Sequence, residues 1–159
     1  MTTAKGPASG PHVRHDLPER EVTTAGSGTR GHIPRTLGPS ECFDLIEPGG
    51  VGRVGFASAD GITILPVNFA VAGKTIVFRT APDTLLAVYA NGQVSFEVDE
   101  FDEANRTGWS VLVSGHAHTV TGEREVRRLE EGTHLEPWAA GPRDVYVRIT
   151  PTRISGRRL

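Results

Sequence analysis

The chain has 159 residues, 37% of them hydrophobic, and a formal net charge of −2. That suits one domain, leaves no global pull toward nucleic acid, and contains no apolar run long enough to span a bilayer. The single cysteine, Cys42, excludes an intramolecular disulfide framework and fits a reducing cytoplasm.

Residues 1–34 are rich in Gly, Pro, Ser and Thr and nearly free of large apolar groups. Such a stretch buries too little surface to offset its ordering entropy, so a disordered tail is expected. No apolar segment follows Lys5, which argues against a signal peptide. The folded domain is expected over 35–159. In "LGPSECFDLIEPGG", Gly38 suits an N-cap and Pro39 the first helical position. Glu41 favours the positive end of the helix dipole, and Pro48 with Gly49-Gly50 stops the helix. Cys42, Leu45 and Ile46 form its buried stripe, which makes Cys42 a structural thiol rather than a nucleophile.

Strand patterns follow. "VGRVGFAS" alternates, and Asp60-Gly61 predicts a type I′ hairpin turn. "ITILPVNFAV" is the next strand. Its Pro66 predicts an edge or a bulge. "AGK" turns the chain into "KTIVFRT". "PDTLLAVYAN" reads as a helix with Pro82 and Asp83 near its start. "QVSFEVDEF" and "GWSVLVSGHAHTV" are two strands linked by a polar loop, and "EREVRRLEE" is a charged surface helix carrying a Glu123–Arg127 pair. "HLEPWAAGP" is a loop. "DVYVRIT" and "RISGRRL" read as two closing strands. Six or seven strands, mostly joined by tight turns, predict a mainly β fold: a small, mostly antiparallel barrel. The βαβ alternation and GxGxxG turn of a dinucleotide-binding fold are missing.

"VFRTAPDTLL" ends a strand in Arg79-Thr80 and opens a helix at once. A guanidinium, a hydroxyl and free helical N–H groups together suit an anion such as a phosphate. His116 and His118 alternate onto one strand face without a reliably placed third ligand, so exposed histidines rather than a metal site are expected. The acidic run from Glu97 to Glu103 lacks a calcium-loop pattern and reads as a solvated edge. Arg53 suits either a barrel-end salt bridge or a ligand contact. Asn68 suits either backbone satisfaction near Pro66 or a ligand contact.

From about Leu37 to Leu159 the chain resembles the pyridoxamine 5′-phosphate oxidase-like FMN-binding split-barrel family. The blocks "ECFDLIEPGGVGRVGF", "DGITILPVNFAV", "TIVFRTAPDTLLA", "VSFEVDEFD", "GWSVLVSGHA", "LEPWAAGPR" and "VRITPTRISGRR" carry the resemblance. It implies a six-stranded antiparallel split β-barrel with short helices, forming a homodimer with flavin at the interface. It further implies that the flavin ring rests on Pro66, Val67, Asn68 and Phe69, with the phosphate held near Arg79, Thr80 and Thr84. Trp109 and Ser110 would approach the cofactor, and the partner's loop near Trp138 would close the site. The implied activity is an FMN-dependent oxidoreductase acting on a small organic substrate, with hydride chemistry carried by the flavin and no catalytic side chain assigned. One departure stands out: Leu85 and Leu86 occupy the place of a basic residue. Losing a charge-assisted contact costs about 1.5–3 kcal/mol. Deazaflavin F420 in place of FMN, or a non-catalytic flavin- or haem-binding role, therefore stay open.

Overall fold

The computed structural model describes residues 33–159 apart from residue 90. The expected tail lies almost entirely outside these residues. Among them, β1 (Arg35–Leu37), α1 (Pro39–Ile46), β2 (Gly50–Ser58), β3 (Gly61–Ala72), β4 (Thr75–Thr80), α2 (Leu85–Tyr89), β5 (Gly92–Asp102), β6 (Thr107–Thr119), α3 (Glu123–Gly132) and β7 (Val145–Arg158) follow in chain order. The sheet order is β1-β7-β4-β3-β2-β5-β6, and β6 pairs back onto β7. Six strands thus close an antiparallel barrel, as expected. The three-residue β1 adds to the free edge of β7 at Gly156–Arg158 and was too short to leave a sequence pattern.

Alternation sets the core. Val54 and Phe56 from β2, Val67 and Phe69 from β3, Ile76 and Phe78 from β4, Val94, Phe96 and Val98 from β5, Val111 and Val113 from β6, and Val147 and Ile149 from β7 all point inward and are buried. Successive strand residues face opposite sides, so one apolar residue in two fills the barrel. Cys42 and Ile46 of α1 join this cluster, and burial pushes the Cys42 thiol pKa up, which makes it inert. Gly38 caps α1, with Glu41 Oε2 accepting its N–H at 2.9 Å. A second apolar cluster lies on the outer face, where Val77 and Tyr146 pack with Val120, Leu129 and Leu135.

Three local expectations are corrected, and one with two outcomes, Pro66, is decided. The β2–β3 register closes with Ser58 opposite Gly61, so the turn residues are Ala59 and Asp60. Only Gly61 takes a positive φ there, +114°, and a type I′ turn is excluded. Pro66 sits in unbroken register opposite Arg53, so it marks an edge and no bulge: β4 pairs with β3 only from Phe69 to Ala72. The two closing strands are one, β7. A register shift lets Thr152 stand out between Arg153 and Pro151, and its Oγ1 donates to Ser114 O at 3.0 Å. Pro151 is tolerated because β4 pairing has ended at Ile149. Finally, α2 is shorter than expected. Its cap is Thr84, whose Oγ1 accepts the Ala87 N–H at 3.2 Å, so Pro82 and Asp83 precede the helix.

Barrel closure leaves little room at Gly115 beside that shift. A Cβ there would lie 2.5 Å from Thr150 O and 3.1 Å from Pro151 Cα. The backbone must move to admit it. Gly115→Ala is expected to cost about 1–3 kcal/mol, read as a lower urea midpoint. An unchanged midpoint would mean the β6–β7 seam is looser than the structure describes.

Candidate site at the split between strands β3 and β4

The barrel opens where β3 and β4 part. Below Phe69, β3 pairs with β2 alone. Among the described residues, its stretch from Gly61 to Asn68 therefore has one edge without a strand partner. Backbone N–H and C=O groups on such an edge seek another partner. Thr80 ends β4 facing the core, and Ala81–Thr84 lead into α2, whose Leu86 is buried and whose Tyr89 stacks on Phe56 with centroids 6.0 Å apart. Leu86 thus belongs to the core, while Leu85 is half exposed.

The expected anion seat does not assemble as one unit in the single chain. Arg79 faces outward, opposite Tyr146 in the β4–β7 register. Its guanidinium lies 5.1 Å from the Tyr146 ring centroid, its Nε donates to Arg143 O at 2.8 Å, and its Nη2 lies 3.8 Å from Asp144 Oδ1. Thr80 faces inward and is fully buried, its hydroxyl bonded to that of Thr84 at 2.7 Å. Thr84 also donates to Ala81 O. The two threonines fold the turn, and the arginine stands on the other face of the strand. The period of two in "TIVFRT" already carried that signal.

Asn68 also faces outward. Its Oδ1 accepts the Trp138 N–H at 2.9 Å. It is thus a side chain that satisfies backbone, though in a distant loop and not beside Pro66. The Trp138 ring is 81% exposed and is no core anchor. A cleft of about 360 Å³ lies beside it, lined in part by Asn68, Phe69, His134, Glu136 and Trp138. The chain from Leu135 to Tyr146 is anchored at both ends in the outer apolar cluster. Between those anchors, Asn68 and Arg79 each hold one point of it. Sequence reading missed Arg143, Asp144 and Tyr146 as partners of Arg79, because nothing local marks a contact across 64 residues.

Trp109 and Ser110 lie on β6, separated from β3 by β2 and β5. Trp109 Nε1 donates to Glu100 Oε2 at 3.2 Å, and Ser110 stands between Asp99 and Arg157 in register. One chain does not bring them to Pro66–Phe69. Arg53 forms the salt bridge, to Glu97 and Asp99. Partial burial raises the Glu97 pKa, Asp99 adds to the rise, and Arg53 opposes it. His116 and His118 are exposed, and no group of three His, Cys, Asp or Glu among the described residues could hold a metal ion. Among the described residues, no helix is long and apolar enough to cross a membrane.

A closed six-stranded antiparallel barrel, split at β3–β4 and plugged by a short helix, defines a mainly β protein of the split-barrel class. The chain belongs to the pyridoxamine 5′-phosphate oxidase family, whose model matches residues 39–158. Three proteins are similar to it over most of their length. A solved Corynebacterium glutamicum protein named for pyridoxamine 5′-phosphate oxidase is 32% identical with a TM-score of 0.70, covering 81% of this chain and 95% of its own. A solved FAD-binding protein of Mycobacterium smegmatis is 36% identical with a TM-score of 0.66, covering 78% and 97%. An uncharacterised Mycobacterium tuberculosis protein is 32% identical over 129 residues, 77% of this chain and 84% of that one.

Proposed function

We propose that the protein is a flavin-dependent oxidoreductase, working as a homodimer with FMN against Pro66, Val67, Asn68 and Phe69 and acting on a small organic molecule. The observation that carries the reading is the strand edge of β3 that, among the described residues, has no strand partner from Pro66 to Asn68 and regains one at Phe69. A flavin's pyrimidine rim presents alternating donors and acceptors, and such an edge can satisfy them. Solved relatives named as FAD-binding, from Mycobacterium smegmatis and Mesorhizobium loti, share the isoalloxazine and add weight to a flavin of either form.

When bound, the flavin supplies the hydride chemistry. The chain's part is to seat the ring and exclude water. Val67 and Phe69 fix the wall from the core side, and Pro66 and Asn68 face the ligand side. Thr84 and Thr80 hold the start of α2, and Arg79 is the nearby cation for a phosphate. Trp109 and Ser110 reach the ring only from a second copy, which favours the dimer. The outer face of β2 and β3 carries Ile62 and Ile64, which are 76% and 64% exposed, an apolar surface suited to such a contact.

The test is titration of the purified protein with FMN, FAD and F420, followed by cofactor fluorescence. Saturable FMN binding is expected, and Arg79→Ala should weaken it about tenfold, the loss of one charged hydrogen bond. Preference for FAD or F420 would correct the cofactor. Failure of all three to bind, together with a Soret band or a colourless protein as purified, would reject the oxidoreductase reading.

A further inference from the structure

We propose that the segment from Trp138 to Asp144 is an autoinhibitory strap, which occupies Asn68 and Arg79 until a flavin phosphate displaces it. This rests on the flavin reading above. The side chains best placed to serve ring and phosphate are both engaged by one segment. Asn68 Oδ1 accepts from Trp138 N, and Arg79 Nε donates to Arg143 O. Asp144 adds a carboxylate 3.8 Å from Arg79 Nη2. The Arg143 carbonyl takes the Nε–H and the Asp144 carboxylate sits near Nη2, so together they crowd the two donors that a bidentate phosphate would use. A phosphate pairing with Nε and Nη2 would meet the Arg143 carbonyl and the Asp144 charge there, so both must leave. The strap can leave without unfolding the barrel. Its ends are fixed by Leu135 and Tyr146 in the outer cluster, while Trp138 and residues 139–142 are exposed. Arg143 Nε bonds back to Ala139 O, which ties the exposed stretch to itself, and Gly141, at φ +96°, supplies a bend that other residues resist.

The Arg143 carbonyl that Arg79 holds is also the scissile carbonyl for trypsin, so cleavage between Arg143 and Asp144 reports strap release without any flavin signal. Such cleavage follows the population of the open form when reclosing is fast. The experiment uses the full chain, with the new Asp144 terminus counted by mass spectrometry. Without flavin, Asn68→Ala is expected to be cut about tenfold faster, one hydrogen bond lost. Asp144→Asn should bind FMN about two- to threefold tighter, as suits an exposed ion pair. Saturating FMN should speed cleavage of the unmodified chain. If FMN binds but leaves cleavage unchanged or slower, the strap does not compete and the flavin reading stands alone. If Asn68→Ala is cut no faster, the strap is not held as described. If FMN binds neither the unmodified chain nor Asp144→Asn, both readings fall.

Discussion

Phe96→Ala is expected to destabilise the barrel by about 3–5 kcal/mol, the usual cost of removing a buried phenyl ring. Phe96 is fully buried and meets Phe69 edge-on, with centroids 5.0 Å apart and planes at 72°. It also fills the space above Gly52, where an added Cβ would lie 2.3 Å from Phe96 Cζ. One ring therefore joins β5 to both β2 and β3. Domains of this kind are stable by about 5–15 kcal/mol, so the loss takes a large share. Urea denaturation followed by circular dichroism measures it. A second variant checks the cause. Gly52→Ala should destabilise the unmodified protein, because the ring has nowhere to go, yet be neutral or restoring beside Phe96→Ala, where the methyl enters the cavity. Additive losses in the double variant would show that the ring and Gly52 do not share that space.

Under the proposed homodimer, Ile64→Glu is expected to convert dimers to monomers. Ile64 lies opposite Gly55, and Ile62 opposite Ala57, in the β2–β3 register, where small partners leave both isoleucines standing clear. A shallow cleft of about 370 Å³, lined in part by Gly55, Ala57, Ile62, Ile64, Ser95 and Ser114, runs beside them. Burying an isoleucine contributes about 1.5–3 kcal/mol. A two-fold interface uses each residue twice, so the change weakens association by about a hundredfold to ten-thousandfold. The barrel itself should be nearly as stable as before, since exposed substitutions shift stability by only about 0.5 kcal/mol. Sedimentation equilibrium separates these effects. A monomeric unmodified protein at high micromolar concentration would remove the dimer, and with it the route by which Trp109 and Ser110 reach the ring. A dimer unaffected by Ile64→Glu would move the interface elsewhere.

The elements themselves were legible because each is a local pattern. Alternation in "VGRVGFAS" and "KTIVFRT" marked core and surface faces, and Gly38-Pro39 with Glu41 marked a helix start that the structure repeats. The same alternation also separated Arg79 from Thr80, a signal that the motif "RT" before a helix obscured. Pro66 allowed an edge or a bulge, and only the extent of β4 pairing chose between them. "DVYVRIT" and "RISGRRL" read as two strands, but a register shift against β6 lets β7 run through.

Residue order by itself determined strands β2 to β6, their alternation and the cap of α1, because side-chain direction and backbone freedom depend on neighbours a few positions away. The tertiary structure alone decided that β6 returns to β7, that β3 keeps an open edge, and that Asn68 and Arg79 hold a loop 70 and 64 residues further on. Those contacts join segments that meet only when the sheet closes. Closure fixes them through strand register and twist summed over six strands, and no short window of sequence contains that sum.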